Sequence, residues 1–301
     1  MHLWGIDLGG TKIEGAVVDG DRPGETRARL RLPTEAERGY DHIVGQIVRL
    51  VANLEEATGQ RRPNAIGVGT PGAVEPSTGK MKNSNTLCLN GRTLRKDLAD
   101  SLGLEVRIAN DANCFALAEA LIGSARGYPN VFGIILGTGV GGGVVIGGKV
   151  VDGRHGIAGE WGHNPIPGED APCYCGRRGC VETVVSGPAL ERYYEAKSGR
   201  KLRLADIARL AAQGEGAATE TLARLQEKLG VALGAAVNLL DPDAIVFGGG
   251  VGNLDGLYGE TMRTAIRRNL FNPELTTALL KPTLGDSAGV FGAALLTVAG
   301  P

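Results

Sequence analysis

The 301-residue chain is long enough for one large domain or for two domains around a cleft, so its size permits an enzyme. Its 32 basic and 33 acidic side chains nearly balance, and only 4% of its residues are aromatic, which disfavours a nucleic-acid-binding face and a basic membrane patch. The N-terminal residues meet a carboxylate and glycines too soon for a signal peptide, and no apolar run reaches membrane-spanning length. We therefore expect a cytoplasmic protein.

The first part of the sequence alternates predicted strands with an amphipathic helix. A strand at Leu3–Leu8, a glycine turn and a returning strand at Ile13–Val18 predict a hairpin with Asp7 at its mouth. Apolar residues at helical spacing predict a helix over Asp41–Ala57, and a short buried strand follows at Ala65–Val68. This alternation is typical of α/β layers.

A second alternation leads to a polar pair at the end of a strand. Leu94–Leu102 is predicted as a helix, Val106–Ala109 as a strand, and Ala112–Gly123 as a helix whose first turn follows Asn110 and Asp111. The pair is thus expected at the carboxyl end of a strand, where open α/β sheets bind ligands.

The second half repeats the pattern of strand, glycine turn and strand. An apolar run at Val131–Leu136 precedes three turn residues, and an apolar run at Val144–Ile146 follows three further glycines. A long helix is predicted at Leu222–Leu240, a third strand and glycine junction at residues 244-250, and a closing helix at Ser287–Leu296.

Each glycine junction is a candidate phosphate site, because glycine lets successive N–H groups converge on an anion. The first junction also supplies a lysine, a hydroxyl and a carboxylate able to hold Mg²⁺ directly or through water. The second would clamp another part of a triphosphate, and the third would pass beneath an adenine or ribose. An ordinary tight turn is the alternative for each. The candidates are Asp7, Gly9, Gly10, Thr11, Lys12, Gly137, Thr138, Gly139, Gly248, Gly249 and Gly250.

Two segments match the dinucleotide-binding pattern GxGxxG but lack its context. That pattern requires a helix directly after the turn, whereas Pro71 interrupts the match at 67-72 and a strand is predicted after the match at 137-142. The segment 143-149 is close to a Walker loop, but Val150 stands where a metal-binding hydroxyl is needed. The sequence therefore disfavours a dehydrogenase and offers no Walker loop.

Four residues offer the ligand types that zinc prefers. His163, Cys173, Cys175 and Cys180 follow one another as His-x9-Cys-x-Cys-x4-Cys. Such crowding favours metal binding over disulfides in a reducing compartment, and the alternative is three free thiols beside an unrelated histidine. Four protein ligands leave no open position for water, so we expect a structural Zn²⁺ that fixes the neighbouring carboxylates.

Asp111 is the candidate general base for phosphoryl transfer to an alcohol, which needs a carboxylate to accept the hydroxyl proton. The alternative is that Asn110 or Asp111 is a plain helix N-cap. Sugar hydroxyls both donate and accept hydrogen bonds, so amide and carboxylate side chains suit them. The candidate sugar contacts are Asn83, Asn85, Asn110, Glu160, His163 and Glu182.

These segments together resemble the ROK family of sugar kinases and repressors. The resemblance runs nearly end to end and rests on the order of Asp7-Leu8-Gly9-Gly10-Thr11-Lys12, Asn110-Asp111-Ala112-Asn113, Gly137-Thr138-Gly139, Gly159-Glu160-Trp161-Gly162-His163, the cysteine segment through Glu182, and Gly248-Gly249-Gly250. It implies an actin-like (ribonuclease H-like) ATPase fold of two α/β domains, with ATP, Mg²⁺ and a hexose meeting in the cleft between them.

The resemblance also implies roles at the matching positions. Asp111 would be the base, the glycine junctions would hold ATP, and His163 would serve both zinc and sugar. The implied sugar site comprises Gly72, Asn83, Asn85, Asn110, Asp111, Glu160, His163 and Glu182. We expect a small domain at 1-120, completed by the C-terminal segment 288-301, a large domain at 121-287 with the zinc loop at 163-180, and a homodimer.

Within the family, the segments around Asn83 and Glu160 look most like those of bacterial fructokinases, some of which also accept mannose. Fructose 6-phosphate is therefore the expected product. N-acetylglucosamine kinases and glucokinases share most of the other motifs and are the alternatives within the family.

Two readings from other classes stay open. A sugar-responsive ROK repressor would carry a helix-turn-helix before the first strand, which here begins within the first few residues. An actin-like ATPase scaffold would need only the phosphate loops, and the Asn110-Asp111 pair and the zinc-braced carboxylates argue against it.

Overall fold

The computed structural model describes residues 2–22 and 24–299. Strands β1–β12 lie at His2–Leu8, Lys12–Asp19, Thr26–Pro33, Ala65–Thr70, Ala73–Val74, Met81–Lys82, Glu105–Asn110, Asn130–Leu136, Val140–Ile146, Lys149–Val150, Ala244–Gly248 and Ala278–Leu280. Helices α1–α10 lie at Tyr40–Thr58, Leu94–Leu102, Asp111–Leu121, Val181–Val185, Gly187–Ser198, Leu204–Ala212, Gly216–Leu240, Gly249–Gly252, Glu260–Arg267 and Ala288–Leu295. The described residues exclude Met1, Pro23, Gly300 and Pro301. The predicted domain segments 1-120 and 288-301 therefore have their outer ends outside the described residues.

The chain divides into two compact units. The first spans Met1–Gly127, Gly143–Ala158 and Thr283–Pro301, apart from the undescribed residues, and the second spans Tyr128–Gly142 and Gly159–Pro282. The domain limits expected from the sequence, at residues 120 and 287, stay predictions. Within the described chain, no helix is both long enough and apolar enough to cross a lipid bilayer.

The sheet of the first unit has the strand order β3-β2-β1-β4-β7. Strands β1, β2 and β3 pair antiparallel, whereas β4 runs parallel to both β1 and β7. The carboxyl ends of β1, β4 and β7, at Leu8, Thr70 and Asn110, therefore meet at one edge of this sheet, which is where α/β sheets place ligands.

Helices pack on this sheet through a buried apolar core. Side chains of α1 and α2 cluster with those of the strands, and Ile43, Ile47 and Leu50 of α1 are fully buried. Helix α10 packs against β1, β4 and α3. Its backbone lies so close to β1 and β4 that a Cβ atom at Gly5 or Gly67 would overlap it, which explains two glycines inside buried strands.

The second sheet has the order β10-β9-β8-β11-β12, with β11 parallel to both β8 and β12. The long helix α7 packs against α4, α5, α6 and α9 in the second unit. The register pairs Gly248 of β11 with Ile135 of β8, so these two strands also end at one edge.

The sequence predictions agree with the main elements and fail at particular glycines. The glycines at 141-143 lie inside β9 instead of forming a turn before it, and Gly249 and Gly250 begin the short helix α8 instead of an open loop. Helix α3 ends at Leu121, before the predicted Gly123, and α7 begins at Gly216, before the predicted Leu222. Strand β3 was not predicted.

Candidate active site

The first glycine junction is a tight turn held from below by a buried threonine. Gly9 N–H donates to the Lys12 carbonyl at 2.9 Å. The Thr34 hydroxyl donates to the Gly9 carbonyl at 2.7 Å, and Thr34 N–H donates to the Thr11 carbonyl at 3.0 Å. Gly10 and Thr11 are exposed at the tip. The junction is thus a tight turn, and Thr34, which the sequence did not reveal, is hydrogen-bonded to the carbonyls of Gly9 and Thr11. Phosphate binding at this turn stays a prediction.

Asp7 lies on β1, two residues before this turn, in a space kept open by glycines of neighbouring elements. In the sheet register Asp7 lies beside Gly69 of β4, and a Cβ at Gly289 of α10 would lie 2.9 Å from Asp7 Oδ2. Burial, together with the negative charges of Asp111 and Glu14, raises the pKa of Asp7 to about 6 against the opposing effect of Lys12. Asp7 and Asp111 are therefore close enough to interact electrostatically.

Asp111 is the first residue of α3 and follows β7 directly. Asn110 is the N-cap of this helix, because its Oδ1 accepts a hydrogen bond from Asn113 N–H at 2.7 Å. Asp111 Oδ1 accepts from Ala112 N–H at 2.8 Å, and this leaves Oδ2 for another partner. Asp111 is accessible to solvent, yet the surrounding protein atoms desolvate it enough to raise its pKa. The N-cap interpretation is confirmed for Asn110, and Asp111 is available for other chemistry.

The segment that contains Asn83, Asn85 and Asn90 follows strands that pack against β7, the strand that leads to Asp111. Strand β5 follows β4, pairs with β6 and packs against β7. A Cβ at Gly72 would lie 2.6 Å from the Lys82 carbonyl oxygen, and Asn83 takes a left-handed φ of 56° just after β6. Asn83 and Asn85 are exposed. The N–H of Ser84, the residue between them, donates a hydrogen bond to Asn90 Oδ1 at 2.9 Å. Asn90 therefore shapes this loop, a role that the sequence did not reveal.

The second unit brings its two glycine junctions to one sheet edge. Gly137 N–H donates to the Gly139 carbonyl at 2.9 Å and closes the turn between β8 and β9. A Cβ at Gly249 would overlap the carbonyl of Leu136, the last residue of β8, so the start of α8 lies directly against the strand that leads into the turn. These two candidate nucleotide segments are neighbours.

Glu182 connects the second glycine turn to the cysteine segment. Its Oε2 accepts a hydrogen bond from Val140 N–H at 2.9 Å, directly after the turn. A Cβ at Gly139 would lie 2.6 Å from the same oxygen. Glu182 lies on α4, two residues after Cys180. Its hydrogen bond therefore brings a predicted sugar contact against a predicted nucleotide turn within this unit.

The four predicted zinc ligands converge. Their ligand atoms all lie within 4.8 Å of one another, with His163 Nδ1 3.6 Å from Cys173 Sγ and Cys175 Sγ 3.7 Å from Cys180 Sγ. A tetrahedron with ordinary zinc bond lengths has S···S edges of about 3.8 Å and N···S edges of about 3.6 Å. The four residues therefore fit a zinc ion.

Tyr174 lies against His163 on the side of the ring away from the thiols. His163 Nε2, the nitrogen away from the thiols, lies 3.1 Å from the Tyr174 hydroxyl, and the two rings meet edge to face. Partial desolvation and the charges of Glu182 and Glu160 raise the pKa of Tyr174 to about 12, although the ring is largely exposed. Tyr174, a residue that the sequence reading passed over, thus contacts His163, and Glu160 and Glu182 are near enough to influence its pKa.

Comparisons with known proteins agree on one family. The model described as ROK family matches residues 3–299. The N-acetyl-D-glucosamine kinase of Pectobacterium atrosepticum is 39% identical over 303 residues, which cover 97% of this chain and 98% of that protein.

Two solved structures have the same fold. A ROK hexokinase from Thermus thermophilus is 34% identical in sequence, with a TM-score of 0.87. The match covers 98% of this chain and 97% of the hexokinase chain. A ROK family glucokinase from Streptomyces griseus, in complex with glucose and AMPPNP, is 30% identical in sequence, with a TM-score of 0.78. The match covers 98% of this chain and 99% of the glucokinase chain. The predicted actin-like α/β fold is confirmed, whereas the fructokinase prediction finds no support among these proteins.

Proposed function

This chain belongs to the ROK family, and we propose that it transfers a phosphoryl group from ATP to a hydroxyl of N-acetyl-D-glucosamine. The observation that carries the kinase assignment is the placement of Asp111 at the carboxyl end of a parallel strand. One of its carboxylate oxygens, Oδ1, accepts a hydrogen bond from the Ala112 N–H, and this bond does not involve Oδ2. The choice of sugar rests on the relative from Pectobacterium atrosepticum. N-acetylglucosamine, the alternative that the sequence left open, therefore replaces fructose.

Asp111 would accept the proton of the attacking sugar hydroxyl on Oδ2. The hydrogen bond from Ala112 N–H to Oδ1 fixes the plane of the carboxylate, so the proton-accepting oxygen needs no reorientation. Desolvation raises the pKa of Asp111, which makes the ionised carboxylate a better proton acceptor than a solvated aspartate. Asn110, already the helix cap through Oδ1, has its amide nitrogen left to donate to the sugar.

The glycine junctions would hold the nucleotide. In the first unit the turn offers the N–H groups of Gly10 and Thr11, and Lys12 adds a cation. In the second unit, taken by itself, the turn offers the N–H groups of Thr138 and Gly139, and the start of α8 adds Gly249 and Gly250. Asp7 is the residue that suits Mg²⁺, because carboxylate oxygens are the ligands of this cation and a cation would relieve its repulsion by Asp111. Bound Mg²⁺ would neutralise charge on the transferring phosphoryl group.

The cysteine segment would hold the sugar contacts of the second unit. Zn²⁺ bound by His163 Nδ1 and the three thiols would fix the loop that carries Glu160 and precedes Glu182. Glu182 keeps one oxygen on Val140 N–H and has the other for a sugar hydroxyl. A homodimer and a cytoplasmic location stay predictions from the sequence.

Substitution of Asp111 by asparagine tests the role of the base. Asp111→Asn keeps the shape of the side chain but cannot accept the proton, so we expect kcat to fall by at least about a hundredfold while the melting temperature and the Kd for the sugar change little. Sugar-dependent ADP release and mass spectrometry of the sugar phosphate are the measurements. A variant with near-normal kcat would remove Asp111 from this role.

The same assay distinguishes the other classes. ADP release by the wild-type chain that does not respond to any sugar would favour a nucleotide-binding scaffold. Sugar binding without any phosphorylated product would favour a sugar-responsive regulator.

A further inference from the structure

Glu119 is a buried carboxylate in the last part of α3 that no proposed catalytic step uses. Its exposed fraction is 0%, so leaving the charge without partners would be costly. Oε2 accepts hydrogen bonds from Ser124 N–H at 2.8 Å and from the Ser124 hydroxyl at 3.1 Å. Oε1 accepts from Thr283 N–H at 3.1 Å and from Leu284 N–H at 3.0 Å, and Thr283 N–H also lies 3.2 Å from Oε2. Backbone N–H groups thus stabilise the charge.

These contacts join two segments that are far apart in the sequence. Ser124 lies just after α3, whereas Thr283 and Leu284 lie 164 and 165 residues beyond Glu119. Thr283 is the first residue of the final segment of the first unit, and this segment passes through one 3-10 turn directly into α10. Glu119 therefore fixes the start of α10 to the end of α3.

Each of these helices determines the place of one carboxylate of the proposed kinase site. Helix α3 begins at Asp111, eight residues before Glu119, which corresponds to about 12 Å along a rigid helix. Helix α10 places Gly289 against Asp7, where a Cβ would lie 2.9 Å from Oδ2. The two helices also touch through their backbones, because a Cβ at Gly292 would overlap the Cys114 carbonyl.

We propose that Glu119 is a positioning residue that holds α10 in register with α3 and so sets the spacing of Asp7 and Asp111. The inference rests on the proposed kinase function, because it assigns to Glu119 the alignment of the groups for Mg²⁺ and for the base. Without the carboxylate, the N–H groups of Thr283 and Leu284 lose their acceptor. The start of α10 then shifts relative to α3, and the Asp7 carboxylate shifts with it.

The test compares Glu119→Gln with Glu56→Gln, which makes the same change at an exposed position of α1 in the same unit. An amide has one acceptor oxygen, so Glu119→Gln leaves one of the two sets of N–H donors facing an NH₂ group. We expect kcat per folded molecule to fall by about tenfold or more and the Mg²⁺ concentration for half-maximal rate to rise severalfold. The KM for the sugar should change much less, and Glu56→Gln should match the wild type.

Two further variants keep the inference testable if Glu119→Gln folds poorly. Ser124→Ala removes one hydrogen bond to the same carboxylate but keeps those from Thr283 and Leu284, so its kcat should stay close to that of the wild type. Glu119→Asp keeps the charge but is one methylene shorter, so it should weaken the contacts with the 283-284 segment and lower kcat. Faster hydrogen exchange at the amides of 283 and 284 should accompany each fall in kcat.

A purely structural role gives a different result. In that case Glu119→Gln and Glu119→Asp lower the melting temperature, but kcat per folded molecule and the Mg²⁺ requirement stay at wild-type values, which would overturn the inference. If the wild type phosphorylates no sugar, the proposed function fails separately. A crystal structure of Glu119→Asp then decides, since an unchanged separation of the Asp7 and Asp111 carboxylates would contradict the positioning role.

Discussion

Gly289 of α10 offers a direct way to disturb Asp7 without altering any proposed catalytic group. A Cβ at this position would lie 2.9 Å from Oδ2 and 3.2 Å from Cγ of Asp7. Comfortable contact between such atoms needs about 3.5 Å or more. In Gly289→Ala the Asp7 carboxylate must therefore rotate or move by several tenths of an ångström.

The expected effects on stability and on activity differ in size. Alanine in place of glycine within a helix stabilises it by up to about 1 kcal/mol, and the close contact with Asp7 costs a similar amount, about 1 kcal/mol or slightly more. The free energy of unfolding should thus stay within about 1 kcal/mol of the wild-type value. Activity should suffer far more, because displacement of a group that positions the reacting atoms lowers rates by about tenfold to a hundredfold.

Urea unfolding and steady-state kinetics at several Mg²⁺ concentrations test this prediction. Gly45→Ala on α1 is the matched control, since a Cβ at Gly45 would have no atom within 4 Å apart from its chain neighbours and the adjacent backbone of its own helix. It should stabilise the protein by about 1 kcal/mol at most and leave kcat unchanged. A Gly289→Ala enzyme with kcat within about twofold of the wild type would show that the exact position of Asp7 does not matter, and would refute the reasoning.

Two further predictions concern the zinc cluster and a buried charge. We expect about one zinc ion per chain in the wild type, and Cys175→Ser should lower both this zinc content and the activity. Cys88→Ser, outside the cluster, should change neither. A wild-type protein that metal analysis shows to be metal-free and that is fully active would contradict this prediction. Glu14 is buried and hydrogen-bonded to Arg29 and Arg31, which lower its pKa against the opposing effect of burial, so Glu14→Gln should destabilise the fold by about 2 kcal/mol near neutral pH. Because the pKa of Glu14 is lower in the folded state, its stabilisation is present above the unfolded pKa of about 4.3 and is lost as pH falls through the folded pKa. Thermal unfolding should therefore show the two proteins converging in stability at acidic pH, and an equal difference at every pH would contradict the assignment.

Sequence patterns were sufficient where one physical signal dominated. The apolar spacing of α2 gave its bounds, Leu94–Leu102. The four residues that converge at the candidate zinc site could be chosen because cysteine and histidine crowd into a short segment. Patterns failed at the glycines of β9, which signal close approach rather than a turn. A Cβ at Gly143 would lie 2.6 Å from the Ala112 carbonyl oxygen, so the strand passes directly over the first turn of α3.

Other features depend on contacts that no local pattern contains. The strand β3 alternates arginine with apolar residues, a period that was available in the sequence, but Glu14 as its buried partner is known only from the sheet register. Glu119 reads as an ordinary helical residue, because its partners Thr283 and Leu284 lie 164 and 165 residues away. The hydrogen bond of Glu182 to the glycine turn is equally invisible without the fold.

The central claim is tested most directly by kcat/KM values for N-acetylglucosamine, glucose, mannose and fructose, measured side by side with saturating ATP and Mg²⁺. The account predicts the highest value for N-acetylglucosamine, by about tenfold or more over the other sugars, and loss of this activity in Asp111→Asn. A higher kcat/KM for fructose or glucose, or phosphorylation of N-acetylglucosamine that persists in Asp111→Asn, would contradict it.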